Sequence, residues 1–341
     1  MIINNNTKKM FFIVGNSRSG NHLVSCILGN HPDVYTFPHE FHFFEELWSA
    51  NDMDKMLTRE NKVKIAAKLL YISRCGYLKQ KNIKKYYDEA KKMNMNNINS
   101  SAGIFRELLY YETFNNEKKI PCEHTPRNLF YIDEILNLYP EAKIIIMIRD
   151  PRDVLLSQKK KWKRRYLTSK KSIPLREAIR SFINYHPFLI GKLWNSSIYV
   201  ADRTYDEKKV LKQLFEDLVS EPFESVKKIC EFLGLDFYED MLDVPQMYSS
   251  NEVDRPNNRG INKKRVRAWL YGGLSSTEIF ICQKITESFM RKYGYIPLKV
   301  KPNIFVLFYY FILLPIKTIL ALGMNLNRMK NVKDTIRRRL A

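Results

Sequence analysis

The sequence predicts an α/β fold built on a mostly parallel sheet flanked by helices, and three features carry that prediction. Residues 10–15 are apolar and run into a small-residue loop and then a helix start. Residues 143–148 (KIIIMI) form a short, continuous apolar run, the composition a strand needs when both of its faces are buried. Strand-like and helix-like segments alternate along the chain, as they do where helices carry the crossovers between parallel strands.

Taken in order, a strand over 10–15 leads through a turn to a helix over about 21–28. Residues 45–100 read as Lys- and Tyr-rich helices forming a peripheral insertion. A helix follows Pro126 and ends near Tyr139 and Pro140. After the 143–148 strand, Pro151 and Pro174 each suit the first turn of a helix. A further strand is expected over 210–215, then a helix over 221–233 closed by Gly234. The last amphipathic helix spans 275–293, with Ser275 as its cap and Gly294 as its stop. Residues 1–298 thus read as one domain and 299–341 as an apolar and basic tail.

Charge and cysteine usage narrow the partners. The formal net charge is +21. It is concentrated in residues 158–176, which hold nine basic side chains and no acid, and again in 325–341. Nucleic acid, anionic lipid, an anionic glycan or a polyanionic cofactor all suit such a field, but no nucleic-acid recognition module is present. The five cysteines are widely spaced and odd in number, without a CxxC pair. Neither a disulfide framework nor a metal site is expected, and a reducing compartment is. The first fifteen residues read as a strand rather than a signal. Residues 304–322 form an apolar stretch broken by Pro315 and Lys317. The length is near that of a bilayer span, but a mid-segment lysine is costly there, and basic residues flank both ends. The expectation is a monotopic or re-entrant helix on an anionic membrane surface, with a buried core helix as the alternative. Together these place the protein in the cytoplasm, peripheral on the cytoplasmic face of a membrane.

Two segments carry the chemistry. Gly15 to His22 (GNSRSGNH) is a P-loop-like turn that aims backbone N–H groups and a helix N-terminus at an anion. The spacing of Gly15 and Gly20 matches a nucleotide loop, but Asn21 and His22 stand where Lys and Ser or Thr hold phosphates and magnesium. A nucleotide kinase is therefore poorly supported, whereas a metal-free anion grip is not. In the second segment, Arg149 ends the 143–148 strand and Ser157 lies two turns into the next helix, at the sheet edge where open α/β folds bind ligands. Arginine there suits a phosphate. Two anion sites at neighbouring strand ends, one served by a metal-free loop, match a nucleotide with phosphates on its 5′ and 3′ positions.

These segments resemble the family of sulfotransferases that use 3′-phosphoadenosine 5′-phosphosulfate (PAPS), especially its carbohydrate- and protein-modifying branches. SRSGNHLVSCILGNHPDV resembles the 5′-phosphosulfate loop, and IIIMIRDPRDVLLSQ the 3′-phosphate motif. EHTPRNLFYIDEI, LFEDLVSEPFESVKKICEFLGL and VRAWLYGGLSSTEIFICQKITESFMRKYGY follow in the expected order, so the likeness covers about residues 10–295. It implies PAPS as sulfuryl donor, no metal, and Arg18 as the residue that stabilises the transferring group. Ser19, Gly20, Asn21 and His22 would surround the 5′ phosphate, Arg149 and Ser157 would hold the 3′ phosphate, and Arg265 and Arg267 would close over the nucleotide. His124 stands where the family often has a lysine, so either its protonated form or Arg18 alone must assist the leaving group.

Transfer to a hydroxyl needs a base beside it. By the same resemblance Glu40 takes that role, with His39 and His42 as runners-up. The acceptor is expected to be a hydroxyl on a glycan or glycolipid. A noncatalytic anion- and membrane-binding protein is the reading from a different class.

Overall fold

The computed structural model describes residues 9–49, 57–77, 82–167, 173–204, 206–247, 249–250 and 252–340. Residues 50–56 and 78–81 of the expected insertion, and 168–172 of the basic stretch, lie outside that set.

Five strands, β1 (Met10–Gly15), β2 (Val34–Thr36), β3 (Ile120–Glu123), β4 (Ala142–Ile148) and β5 (Val210–Leu214), form a sheet of order β2-β3-β1-β4-β5 in which each neighbouring pair is parallel. A small antiparallel ribbon joins β6 (Pro245–Gln246) to β7 (Arg255–Arg259). From β1 the chain passes through α1 (Asn21–Gly29) toward β2 on one side; from β4 it passes toward β5 on the other. The carboxyl ends of β1 and β4 therefore flank a topological switch point, where the diverging loops leave a crevice.

Both faces of the sheet are buried, which explains the uninterrupted apolar runs. On one face Phe12, Val14, Ile144 and Ile146 join a core with Leu70 of α3 (Arg59–Cys75), Phe105 of α5 (Ser101–Asn115) and Trp194 of α10 (Pro187–Arg203). On the other, Phe11, Ile13, Ile145 and Met147 meet Val24 of α1, Leu218 of α11 (Phe215–Ser220) and Ile229 of α12 (Pro222–Leu233). Each such side chain, fully buried, contributes about 1.5–3 kcal/mol.

The expected strands over 10–15, 143–148 and 210–215 form, as do the helices after Pro126, Pro151 and Pro174 and that closed by Gly234. Helix α6 (Ile132–Leu138) continues the turn from Pro126, α7 (Pro151–Lys159) follows β4, and α9 (Leu175–Ile183) starts after Pro174. Gly234 takes the left-handed φ of 67° that ends α12. In α13 (Ser276–Lys292) the Ser275 hydroxyl accepts from the Glu278 N–H and the Glu278 carboxylate accepts in return, a full capping box.

The 45–100 segment is helical in α2 (Phe43–Glu46), α3 and α4 (Tyr87–Lys92), but it is not peripheral. Leu69, Leu70 and Ile72 are fully buried in the same core as β1. The lysines that suggested a surface insertion cover only the outer side of these helices.

The tail also differs from a simple appendage. Helix α14 (Ile304–Asn325) lies along the body. The Tyr310 hydroxyl donates to Glu278 (3.0 Å), Lys317 Nζ to the Phe182 carbonyl (3.1 Å), and Asn325 Nδ2 to Asn184 Oδ1 (3.0 Å). Spacings of seven and eight residues put these three contacts on one helix face. The apolar residues of the opposite face, among them Phe305, Phe308, Phe311 and Ile319, are exposed. None of the most apolar part of α14 is buried, which removes the core-helix alternative. The chain then returns to the body through α15 (Val332–Leu340), where Arg338 Nη1 donates to the Phe130 carbonyl (2.9 Å) and pairs with Glu134 (2.6 Å).

Candidate active site

The loop after β1 is shaped by close packing. Gly20 precedes α1 with φ 103°, and a Cβ there would lie 2.5 Å from the Phe215 ring. Arg18 also takes a positive φ, 80°, which turns its side chain across the crevice. Helix α1 has no side-chain cap and no acid in its first turn, so its positive end is available to an anion. Ser19 is fully buried and its hydroxyl has no hydrogen-bond partner among the described residues.

Across the crevice, Arg149 follows β4. Its Nη1 donates to the Arg18 carbonyl (3.1 Å), its Nη2 to the Arg265 carbonyl (2.7 Å), and its guanidinium lies 4.1 Å from the Phe215 ring centroid. Arg18 Nε donates to the Ser157 hydroxyl (2.8 Å), joining the loop directly to α7. Asp153, also on α7, accepts the N–H groups of Arg267 (2.9 Å) and Trp269 (3.0 Å), which docks the basic 263–271 segment against the site. The Nε atoms of Arg149 and Arg265 are buried without a partner among the described residues. Arg149 and Arg265 line one cavity, and with Ser19, buried beneath the loop that borders it, they leave a set of orphaned donors around it. Such donors are costly unless a ligand satisfies them, and a nucleotide with phosphates at both ends fits that set.

Beyond the phosphate loop the cavity, about 230 Å³, reaches Glu40, His42, Glu45, Glu46, Tyr77 and His124. His42 Nε2 lies 3.2 Å from Glu40 Oε2 and His42 Nδ1 3.8 Å from Glu45 Oε2. Glu123 anchors this loop from below. Its carboxylate accepts the Thr125 N–H (3.0 Å), the Thr125 hydroxyl and Asn128 Nδ2 (2.7 Å). The Thr125 oxygen in turn accepts the N–H of Phe41 (3.0 Å). The sheet thereby holds Glu40 beside the mouth of the nucleotide crevice.

A family model described as the sulfotransferase family matches residues 11–240. The chain belongs to the sulfotransferase family. It is 31% identical over 146 residues to sulfotransferase 2A2 of Rattus norvegicus, covering 41% of this chain and 47% of that one. It is 28% identical over 169 residues to the 3-beta-hydroxysteroid sulfotransferase of Cavia porcellus, covering 46% and 55%. The matched region thus spans about half the length of these curated relatives. Among solved structures, the sulfotransferase domain of the Synechococcus PCC 7002 olefin synthase is 20% identical, with 85% of this chain and 96% of that one covered at a TM-score of 0.46.

In this sulfotransferase Arg18, Gly20, Asn21, His22, Glu40, Arg149, Ser157 and Arg265 all line the one cavity, with Ser19 buried beneath the loop. Arg267 does not join them; its side chain is exposed, and its backbone N–H donates to Asp153. His39 is also absent from the cavity and packs against Gly76, which leaves His42 as the histidine beside Glu40.

Burial and like charge set the protonation states of the sulfotransferase. Arg18 is pushed down to about 9 by burial and by Arg164, Arg149 and Arg265, and so stays cationic near neutral pH. Burial, then His124, pushes His22 down to about 3, so it serves as a neutral hydrogen-bonding ring. Burial likewise holds His124 below the ordinary histidine range. Its protonated form is disfavoured, whereas Arg18 keeps its charge. Burial pushes the Glu40 carboxyl up, but its bond to His42 and the charges of His42, His124 and Lys161 pull it down further, below the ordinary carboxylate range.

Several lining residues of the sulfotransferase escape sequence reasoning. Lys161, Arg164 and Arg328 were visible only as members of basic runs, Arg127 only as the residue after Thr-Pro, and Arg180 not at all. Arg328 comes from the tail, so the two expected units share one site.

Proposed function

We propose that this sulfotransferase moves a sulfuryl group from PAPS to a hydroxyl of a polar acceptor, a carbohydrate or a glycolipid headgroup, at a membrane surface. The observation that carries the reading is a single cavity lined at one end by Arg18, Arg149 and Arg265, with the unpartnered Ser19 hydroxyl buried beneath the adjoining loop, and at the other end by Glu40. When bound, PAPS supplies a sulfuryl group on its 5′ phosphate. Ser19, the α1 N-terminus and Arg18 would hold that end, and Arg149, Ser157 and Arg265 the 3′ phosphate. Glu40 takes the proton of the attacking hydroxyl. The acceptor oxygen bonds to sulfur as the bond from sulfur to the phosphate oxygen breaks, and Arg18 faces the negative charge left there.

A polar acceptor is favoured by the walls. Glu40, Glu46, Arg127, Lys161, Arg180 and Arg328 surround the acceptor end, and a rigid apolar ring would strip water from these charges without replacing it. This differs from the substrate class in the name of the Cavia relative. Membrane placement is supported by α14, whose polar stripe is spent on the body while its apolar stripe faces outward. A helix bound along its length to the body suits a position in the membrane plane better than a span across it. Placement on the cytoplasmic face belongs to the same proposal.

The test is transfer from [35S]PAPS, by the full chain, to three acceptor sets: neutral and acidic glycans, membrane glycolipids, and hydroxysteroids. Label on a glycan or glycolipid, lost in Glu40→Gln, is the expected result. Label confined to the steroids would overturn the acceptor class, and no label on any set would remove the reaction.

A further inference from the structure

The acceptor end of the cavity carries more positive charge than its own acids answer. Arg180 and Arg328 share one carboxylate: Arg180 Nε and Nη2 donate to Glu177 Oε2 (3.0 and 2.8 Å), and Arg328 Nη2 donates to Glu177 Oε1. Arg127 shares Glu45 with Arg339; Arg127 Nη1 lies 3.1 Å from Glu45 Oε2, and Arg339 bonds the other oxygen. The remaining acids are engaged elsewhere, Glu40 with His42 and Glu46 with the Tyr77 hydroxyl. Lys161 stands among these cations. Burial, then Arg180 and Arg18, pushes its ammonium down to about 7, with Glu40 opposing and Arg127 adding to the effect. Arg180 is itself lowered by burial and by Arg328.

Converging like charges are unfavourable in a folded protein and are relieved when an anion enters among them. The anions of PAPS are assigned to the other end, at the α1 N-terminus, Arg149 and Arg265. A second feature lies beside this cluster. Arg180 belongs to α9, whose Leu175, Ile179 and Phe182 are exposed, and Arg328 directly follows the exposed apolar face of α14. Asn325, the last residue of α14, accepts from Arg180 Nη1 at 3.0 Å. The cationic wall and the outward apolar surface are therefore two sides of the same α9–α14 junction.

Resting on the sulfotransfer reading above, we propose that the acceptor carries its own anionic group, a phosphate or carboxylate beside its hydroxyls, held by Arg127, Lys161, Arg180 and Arg328. The apolar face that adjoins this wall assigns the anion to a lipid-borne headgroup. A bilayer under α9 and α14 would present such a headgroup at the cavity mouth, and the four cations would register the hydroxyl against Glu40.

The experiment is isothermal titration of the full chain saturated with adenosine 3′,5′-bisphosphate (PAP), the desulfated product, so that the nucleotide end is filled. Glucose 6-phosphate and glucose serve as soluble probes, and phosphatidylcholine vesicles containing either phosphatidylglycerol or a neutral galactolipid as membrane probes. Glucose 6-phosphate is expected to bind at least about tenfold more tightly than glucose, and Lys161→Met and Arg328→Gln each to remove about tenfold of that affinity. Both variants are expected to bind PAP as the wild type does and to lose preference for phosphatidylglycerol over galactolipid. Equal binding of the two sugars, or a phosphate affinity unchanged in both variants, would overturn the anionic acceptor. Variants that weaken the soluble probe but leave the vesicle preference intact would overturn its lipid-borne assignment. A wild-type chain that fails to bind PAP would defeat the sulfotransfer reading itself, a distinguishable outcome.

Discussion

Arg149→Ala tests the nucleotide site at its most connected residue. The guanidinium bonds the carbonyls of Arg18 and Arg265 and stacks on Phe215, while its Nε stays buried without a partner among the described residues. Charge-assisted hydrogen bonds contribute about 1.5–3 kcal/mol each. Removing one or two of them from a bound 3′ phosphate costs about 3 kcal/mol, or roughly a hundredfold in Kd for PAP. The same substitution leaves two carbonyls without their donor, so a fall in stability of about 1–3 kcal/mol accompanies it. Titration with PAP in the absence of magnesium gives the first quantity, and denaturant unfolding of the free protein gives the second. Arg149→Lys separates them further: it keeps the charge but has no planar fork with which to span both carbonyls, and an intermediate affinity is expected. A folded Arg149→Ala protein that binds PAP within about threefold of the wild type would refute the assignment of Arg149 to the nucleotide.

Other substitutions test the remaining parts. Glu40→Gln is expected to slow single-turnover transfer by about 10²–10⁴-fold with PAP affinity unchanged; wild-type turnover in that variant would take the base role from Glu40. Gly20→Ala forces a side chain into Phe215 at a left-handed backbone position, and is expected to weaken PAP binding and stability together, which titration and thermal unfolding would show. Glu123 is pushed up to about 7 by burial first, with its bonds to Thr125 opposing. Its folded-state affinity for a proton exceeds the unfolded one, so the stability it contributes is complete below the ordinary carboxylate range and is lost as pH rises through about 7. Unfolding followed from pH 5 to 8 is expected to show that decline in the wild type and a flatter profile in Glu123→Gln; equal slopes would dismiss Glu123 as its source. Replacing Phe308 and Phe311 together by Glu is expected to lower co-sedimentation with anionic vesicles by at least about tenfold, since each exposed ring contributes about 1.5–3 kcal/mol when it enters an apolar phase.

The fold was legible where one physical constraint dominated the local sequence. β1 and β4 are buried on both faces, so their residues are apolar without interruption, and Gly234 and Ser275 mark helix ends by backbone and capping chemistry that few other residues supply. β2 and β3 were not legible. They hold three and four residues, and Pro121 lies inside β3, although β3 sits between β1 and β2. Their strand identity comes from parallel pairing with neighbours distant in sequence, such as Phe11 with Cys122. Helix α3 misled for the opposite reason: its outward lysines dominate the composition, while Leu69, Leu70 and Ile72 make the contacts that matter to the core.

The site divides the same way, and the division follows its chemistry. Phosphate recognition is local. A loop with a helix start, or a strand end with the next helix, supplies several donors from a dozen consecutive residues, so Arg18 to His22 and Arg149 to Ser157 announce themselves. The proposed acceptor end is assembled from afar: Glu40, Arg127, Lys161, Arg180 and Arg328 come from five separate segments, and no spacing links them. What the sequence did carry was the charge excess of 158–176 and of the tail, which looks like a solvated surface when taken one cluster at a time. In the folded chain Lys161 and Arg164 from the first cluster and Arg328 from the second face the same cavity, with Arg339 behind it on Glu45. Part of that excess is therefore directed inward, beside Glu40. Inward positive charge is unfavourable for the free protein and favourable for holding an anion, which is the physical ground for the proposed anionic acceptor.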